Sequence, residues 1–148
     1  QAIQMFKRYP RTALVWSAND EMALGAMQAL KASGRTPGKD VLFSAVNSSP
    51  DVLRARLDGQ LSALVAGHFT VGGWAMVLLH DDARGVDIQR HGGRERQVKL
   101  FQVIAEPQAQ RLLDRAGREG EGVDFRALSA QGKPATYQYP FSMQSVLH

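Results

Sequence analysis

No cysteine occurs among the 148 residues, which excludes disulfides and thiolate metal sites while leaving either redox compartment open. No apolar run approaches the roughly 18 residues that a membrane-spanning helix needs. Histidine is sparse, and His68, His80, His91 and His148 have no paired spacing that would hold a metal, so none is expected. His80-Asp81-Asp82 reads as the exposed end of a helix. There is no G-x-S-x-G elbow and no Walker loop, and Gly72-Gly73 lacks the glycine spacing of a dinucleotide fingerprint. With no nucleophile–base pair and no cofactor motif, neither an enzyme nor a bound cofactor is expected. Aromatics are scarce too, and none interleaves the run RHGGRERQVK from Arg90 to Lys99, as a base-stacking platform would require. That run feeds a net charge of +4. It reads as a solvated, glycine-containing loop, with a surface for an acidic partner or nucleic acid as the alternative.

What is present is a regular alternation. Thr12–Trp16 (TALVW) is a continuous apolar run, expected as a strand buried on both faces, with Trp16 in the core and stacking on a ligand as the alternative. In the following segment Ala23, Ala26, Met27 and Leu30 keep i, i+3, i+4, i+7 spacing, which predicts a helix with one inward stripe, stopped by Gly34. Val41–Val46 predicts a second strand; Ser49 and Pro50 open a short helix with Leu53 and Leu57 inward. Leu61–Ala66 predicts a third strand and Gly72–Arg84 a helix carrying Trp74, Val77 and Leu78, with Asp81 as a further candidate for that face. Val98–Ile104 predicts a fourth strand, and Pro107 opens a helix with Leu112, Leu113 and Ala116 inward. Beyond Gly117 the pattern fades into a stretch punctuated by Gly120 and Gly122, and Tyr137–Phe141 is at best an edge strand. Strands alternating with helices predict an α/β domain with an open, mainly parallel sheet flanked by helices.

In such sheets ligands bind beyond the carboxyl ends of the strands, which directs attention to three joints. At the first, Ser17 and Asp20 have capping-box-like spacing, Asn19 is an alternative N-cap, and Asp20 and Glu21 fall in the first helical turn. Capping explains all four; an amide at Asn19 would also suit a neutral, hydroxyl-rich ligand. At the second, Asn47, Ser48 and Ser49 read as a turn with an N-cap or as ligand contacts. At the third, Gly67 permits an unusual backbone, and His68 is a structural hydrogen-bonding group or a ligand contact.

The run ANDEMALGAMQALKASG, then a strand, a turn with Ser-Pro-Asp, and LDGQLSALVA, resembles the C-terminal half of periplasmic sugar-binding proteins of the ribose/galactose-binding type, which share the type I fold with the lactose repressor. The resemblance covers Thr12 to Gly85. It implies that Asn19 falls on a ligand-binding Asn, that Asn47 stands where the ribose-binding type has an Asp, and that Gly67, beside His68, stands where it has a Gln. The last two departures remove a charge and a side chain and point away from ribose. The resemblance further implies that residues 1–67 form the core of the C-terminal lobe, that residues 68–101 pack on an N-terminal lobe, and that residues 102–148 form a return crossover and tail. Gln1 falls inside an amphipathic segment (Ile3, Met5, Phe6), so a processed or excised piece is expected. Trp74 would then be exposed, or covered by a second copy in a homodimer. The expected function is a periplasmic solute-binding component that captures a small polar, sugar-like ligand and presents it to the membrane permease of an ABC importer or to a sensor kinase, without nucleic acid. The alternative is the ligand-binding core of a lactose-repressor-type regulator; LDGQLSALVA stands against it, since such regulators usually carry Pro-x-Leu-Thr-Thr there.

Overall fold

The computed structural model describes residues 1–93, 95–116 and 124–143. Arg94 of the basic run, the glycines Gly117, Gly120 and Gly122, and His148 lie outside them. The described residues divide into two compact units.

The first unit holds Gln1–Ala66 and the segment from Val103 through the last helix. Its elements are α1 (Ala2–Arg8), β1 (Leu14–Trp16), α2 (Asp20–Ala32), β2 (Leu42–Val46), α3 (Pro50–Leu57), β3 (Ala63–Ala66), the short β4 (Gln102–Val103, which begins one residue before this segment) and α5 (Glu106–Arg115). The strands lie in the order β1-β2-β3-β4. β1 pairs with β2 and β2 with β3 in parallel, with Trp16 opposite Ser44 and Val46 opposite Val65, as the alternation predicts. α2 buries the expected stripe of Ala23, Ala26, Met27 and Leu30, and Gly34 leaves the helix with φ +79°, the left-handed conformation that glycine adopts without strain. Phe43, Ala45, Leu64 and Ala66 turn from the sheet into this core together with Val52, Leu53 and Ile104.

Several expectations are corrected here. β1 is not buried on both faces: Leu14 is 62% and Trp16 68% exposed. β1 stands at the end of the strand order, and among the described residues nothing covers its outer face. Ile3 and Met5 are likewise exposed, and only Phe6 of α1 is buried. In α5, Leu112 is buried, Leu113 half-buried and Ala116 exposed. The fourth strand shrinks to two residues because Leu100 is drawn by its side chain into the core of the second unit.

The second unit holds Gly67–Gln102 and the described residues from 124 onward. A 3-10 turn at His68–Thr70 leads into α4 (Val71–Ala83), and further single turns lie at Ile88–His91 and Phe125–Leu128. Trp74 is 3% exposed, covered by this unit's own rings: Phe125 stands edge-on at 5.8 Å and Phe141 tilted at 5.0 Å between ring centres. The expectation of an exposed or copy-covered Trp74 is therefore replaced by packing within the unit. Gly73 makes this possible, since a Cβ there would lie 2.2 Å from the Phe125 ring. Tyr137–Phe141 forms no strand; Tyr139 and Phe141 are spent on the aromatic cluster, with the Arg96 guanidinium over both rings at 5.0 and 5.1 Å. Arg90 pairs with Asp87 at 3.1 Å, and His91 is buried with Nδ1 2.8 Å from the Tyr137 carbonyl, so part of the basic run is structural rather than solvated.

Asp81 overturns the reading of an exposed helix end. Its carboxylate is fully buried and accepts from the Ser129 hydroxyl, the Ala130 N–H at 2.7 Å and the Tyr139 hydroxyl at 2.7 Å, with His80 Nδ1 at 3.2 Å. Burial alone would raise its pKa, but these bonds from Ser129, Tyr139, Ala130 and His80 outweigh it and hold the pKa at about 2. Burial, then the bond to Asp81, pushes the Tyr139 hydroxyl above its ordinary value.

Two predictions follow from this unit. Because the folded-state pKa of Asp81 lies below the ordinary 3.8, its contribution is present above pH ~4 and is lost as pH falls toward 2, on the order of 2 kcal/mol. Denaturant titrations between pH 5 and 2 should show this loss in the native protein and its absence in Asp81→Asn, which should itself cost about 2–3 kcal/mol at neutral pH. At Gly67, where φ is +127° and a Cβ would fall 1.8 Å from the Leu100 carbonyl oxygen, Gly67→Ala should destabilise by about 3 kcal/mol.

Candidate functional site

The parallel ladders of the first unit continue one residue beyond β1 and beyond β2. The Ser17 N–H donates to the Ser44 carbonyl at 2.9 Å, and the Asn47 N–H donates to the Val65 carbonyl at 2.9 Å. The polar residues that follow β1 and β2 are thus held at the carboxyl edge of the sheet by the same bonds that hold the strands.

At the first joint Asn19, not Ser17, caps α2: its Oδ1 accepts from the Met22 N–H at 2.9 Å. Ser17 is buried and fixed by its backbone. Asn19 itself is exposed; its Oδ1 serves the helix, and its amide nitrogen carries two further donors. Asp20 is 3% exposed. One carboxylate oxygen accepts from the Glu21 N–H at 3.0 Å, the other from the Ser49 N–H at 3.2 Å, 29 residues away. Burial pushes its pKa up, but Ser49, Glu21 and Asn47 together pull it below the ordinary carboxylate range. The Ser49 hydroxyl also lowers the Asp20 pKa but lies buried without a formed hydrogen bond, so the Ser49 N–H supplies the formed bond between the joints.

At the second joint Asn47 is half-buried and has φ +109°, a region a non-glycine residue rarely adopts, Asn more readily than most. Ser49 is the N-cap residue of α3, as expected, but makes no side-chain cap bond. The structure therefore brings Asn19 and Asn47 to one edge of one unit. Gly67 and His68 belong to the other unit. Gly67 is required there by the close Leu100 carbonyl. His68 stacks on Phe101, 5.6 Å and 22° between ring planes, with Phe69 edge-on at 6.4 Å. Its Nδ1 is buried without a partner, so the expected structural hydrogen bond is absent at that atom. Phe69 and Phe101 are 43% and 60% exposed. The sequence reading missed both the bridging role of Asp20 and this aromatic setting; the N1 position of Asp20 pointed only to the helix dipole.

Among solved structures, the chain is similar over its whole length to a periplasmic sugar-binding protein from Pseudomonas fluorescens, at 61% identity and a TM-score of 0.94, covering 45% of that chain. The chain is thus similar in sequence and fold to a part of the periplasmic sugar-binding proteins. Within this family, the galactofuranose-binding protein YtfQ of Escherichia coli is 42% identical over 52 residues, 35% of this chain and 16% of that protein. The periplasmic binding protein component of an arabinose ABC transporter from Shewanella sp. ANA-3, bound to α- and β-L-arabinofuranose, is 29% identical over 78% of this chain and 38% of its own, with a TM-score of 0.61. The chain spans less than half the length of each of these relatives. No family model matches it. The expected fold and periplasmic location agree with these sugar-binding proteins.

The double use of the Asn19 side chain yields a test that separates fold from recognition. Asn19→Asp keeps a good cap and removes the Nδ2 donors, so it should leave thermal stability within about 0.5 kcal/mol. Asn19→Ala should cost about 1 kcal/mol, read by denaturant unfolding.

Proposed function

We propose that this chain is the ligand-binding region of a solute-binding protein that captures a small neutral sugar in the furanose form and delivers it to the permease of an ABC importer. The observation that carries the reading is the pair of amide residues, Asn19 and Asn47, placed at the carboxyl edge of the sheet by the side-chain cap of Asn19 and the backbone ladder bond of Asn47. Amides offer donors and acceptors without net charge, which matches a ring of hydroxyls better than a phosphate or a carboxylate. The furanose form is favoured by two of the relatives, described as binding galactofuranose and arabinofuranose. The departures from the ribose-binding type at Asn47 and Gly67 favour it over ribose. In the second unit, Gly67 and His68 stay candidate ligand contacts by the family resemblance, beside the exposed ring faces of Phe69 and Phe101. In solute-binding proteins of this kind binding closes two lobes and creates the surface that a permease reads. No bond in the ligand is made or broken, so neither a catalytic residue nor a cofactor is required.

Isothermal titration of the intact protein with L-arabinose, D-galactose, D-fucose and D-ribose tests the reading. A saturable one-site isotherm is expected with at least one of the first three, weaker binding of ribose, and recovery of the sugar unchanged. In Asn19→Asp the affinity should fall at least about tenfold, or 1.4 kcal/mol. No heat and no thermal shift with any of the four would sink the proposal.

A further inference from the structure

Asp20 has no place in the contacts proposed above, yet it is the most unusual group at this edge. An acidic residue in the first turn of a helix ordinarily sits in solvent and favours the helix dipole. Here it is 3% exposed, so a ligand at the edge does not reach it. Its two oxygens are divided between joints: one accepts from Glu21 at the start of α2, the other from the Ser49 N–H at the start of α3. Between the ladder bond of the Asn47 N–H to Val65 and the bond of the Ser49 N–H to Asp20 lies the Asn47 backbone with φ +109°. Such a conformation costs on the order of 1–3 kcal/mol and persists only where its surroundings over-determine it. Two hydrogen bonds, one on each side of the strained residue, do so.

We propose that Asp20 is a positioning residue for ligand recognition: its carboxylate ties the β2–α3 joint to the β1–α2 joint and thereby sets the spacing between the Asn19 and Asn47 amides. The inference rests on the reading that these two amides touch the ligand. Recognition of hydroxyls needs donors placed to within about 0.5 Å, and neither joint alone supplies that relation. The Asn19 cap fixes one amide to α2, and the ladder fixes the Asn47 backbone, though not its side chain, to β3. The Asp20 bridge relates the two directly.

The test uses the intact protein, titrated with L-arabinose, D-galactose and D-fucose at a temperature where each variant is folded by circular dichroism. Asp20→Ala and Asp20→Ser, which cannot reach the Ser49 N–H, should weaken binding at least about tenfold. Asp20→Asn, whose one oxygen can still accept from that N–H while its NH2 forfeits the Glu21 bond, should bind clearly more tightly than Asp20→Ala and Asp20→Ser. Rescue by Asn separates positioning from simple destabilisation, which would lower the unfolding midpoint without altering the affinity of the folded fraction. Native affinity in folded Asp20→Ala or Asp20→Ser would overturn the proposal. So would an Asp20→Asn variant as weak as these two, since the charge rather than the bridge would then be what binding needs. Should Asp20→Ala fail to fold, Asp20→Ser and Asp20→Asn carry the same comparison. Native affinity in both Asn19→Asp and Asn47→Gly would instead remove the underlying assignment of the two amides.

Discussion

Everything proposed for the first unit depends on parallel strand pairing. A parallel sheet directs the carboxyl ends of its strands to one edge, and the evenly spaced ladder carries its order past the last strand residue. Here the ladder continues to Ser17 and Asn47, so the turn residues inherit the rigidity of the sheet. A loop of the same composition without those bonds would cost more conformational entropy to order around a ligand. The polar edge is therefore preorganised before any ligand arrives.

The second unit solves a different problem. Its regular structure is mostly one helix, too little to hold a core by ladders, and it compensates with a buried carboxylate and rings. Asp81 gathers donors from residues 48 to 58 positions away, which fastens an irregular segment to α4. The rings of Phe125 and Phe141 close over Trp74. A carboxylate removed from water is tolerated only because its lone pairs are filled by directed donors.

The sequence made the regular parts legible and left the long-range parts hidden. The stripe of α2, its stop at Gly34 and the alternation of strands with helices could be read because they rest on spacing within a few residues. Asn19 was legible as one of two caps, and the structure chose it over Ser17. Trp16 was misread, since a continuous apolar run looks the same whether or not something covers its second face. Asp81 was legible only as one candidate for its helix face and otherwise read as an exposed end, because its partners Ser129, Ala130 and Tyr139 carry no local signature that points back to α4. Asp20 fell between the two, its helix position visible and its bond to Ser49 across 29 residues not.

The central claim is that two neutral amides, held at the carboxyl edge of a parallel sheet, recognise a furanose. A crystal structure of the intact protein grown with L-arabinose or D-galactose tests it most directly. The account predicts sugar hydroxyls within about 2.7–3.2 Å of Asn19 Nδ2 and of the Asn47 side-chain amide, with the Asn19 cap to Met22 unbroken. A bound sugar that leaves both amides facing water would contradict it.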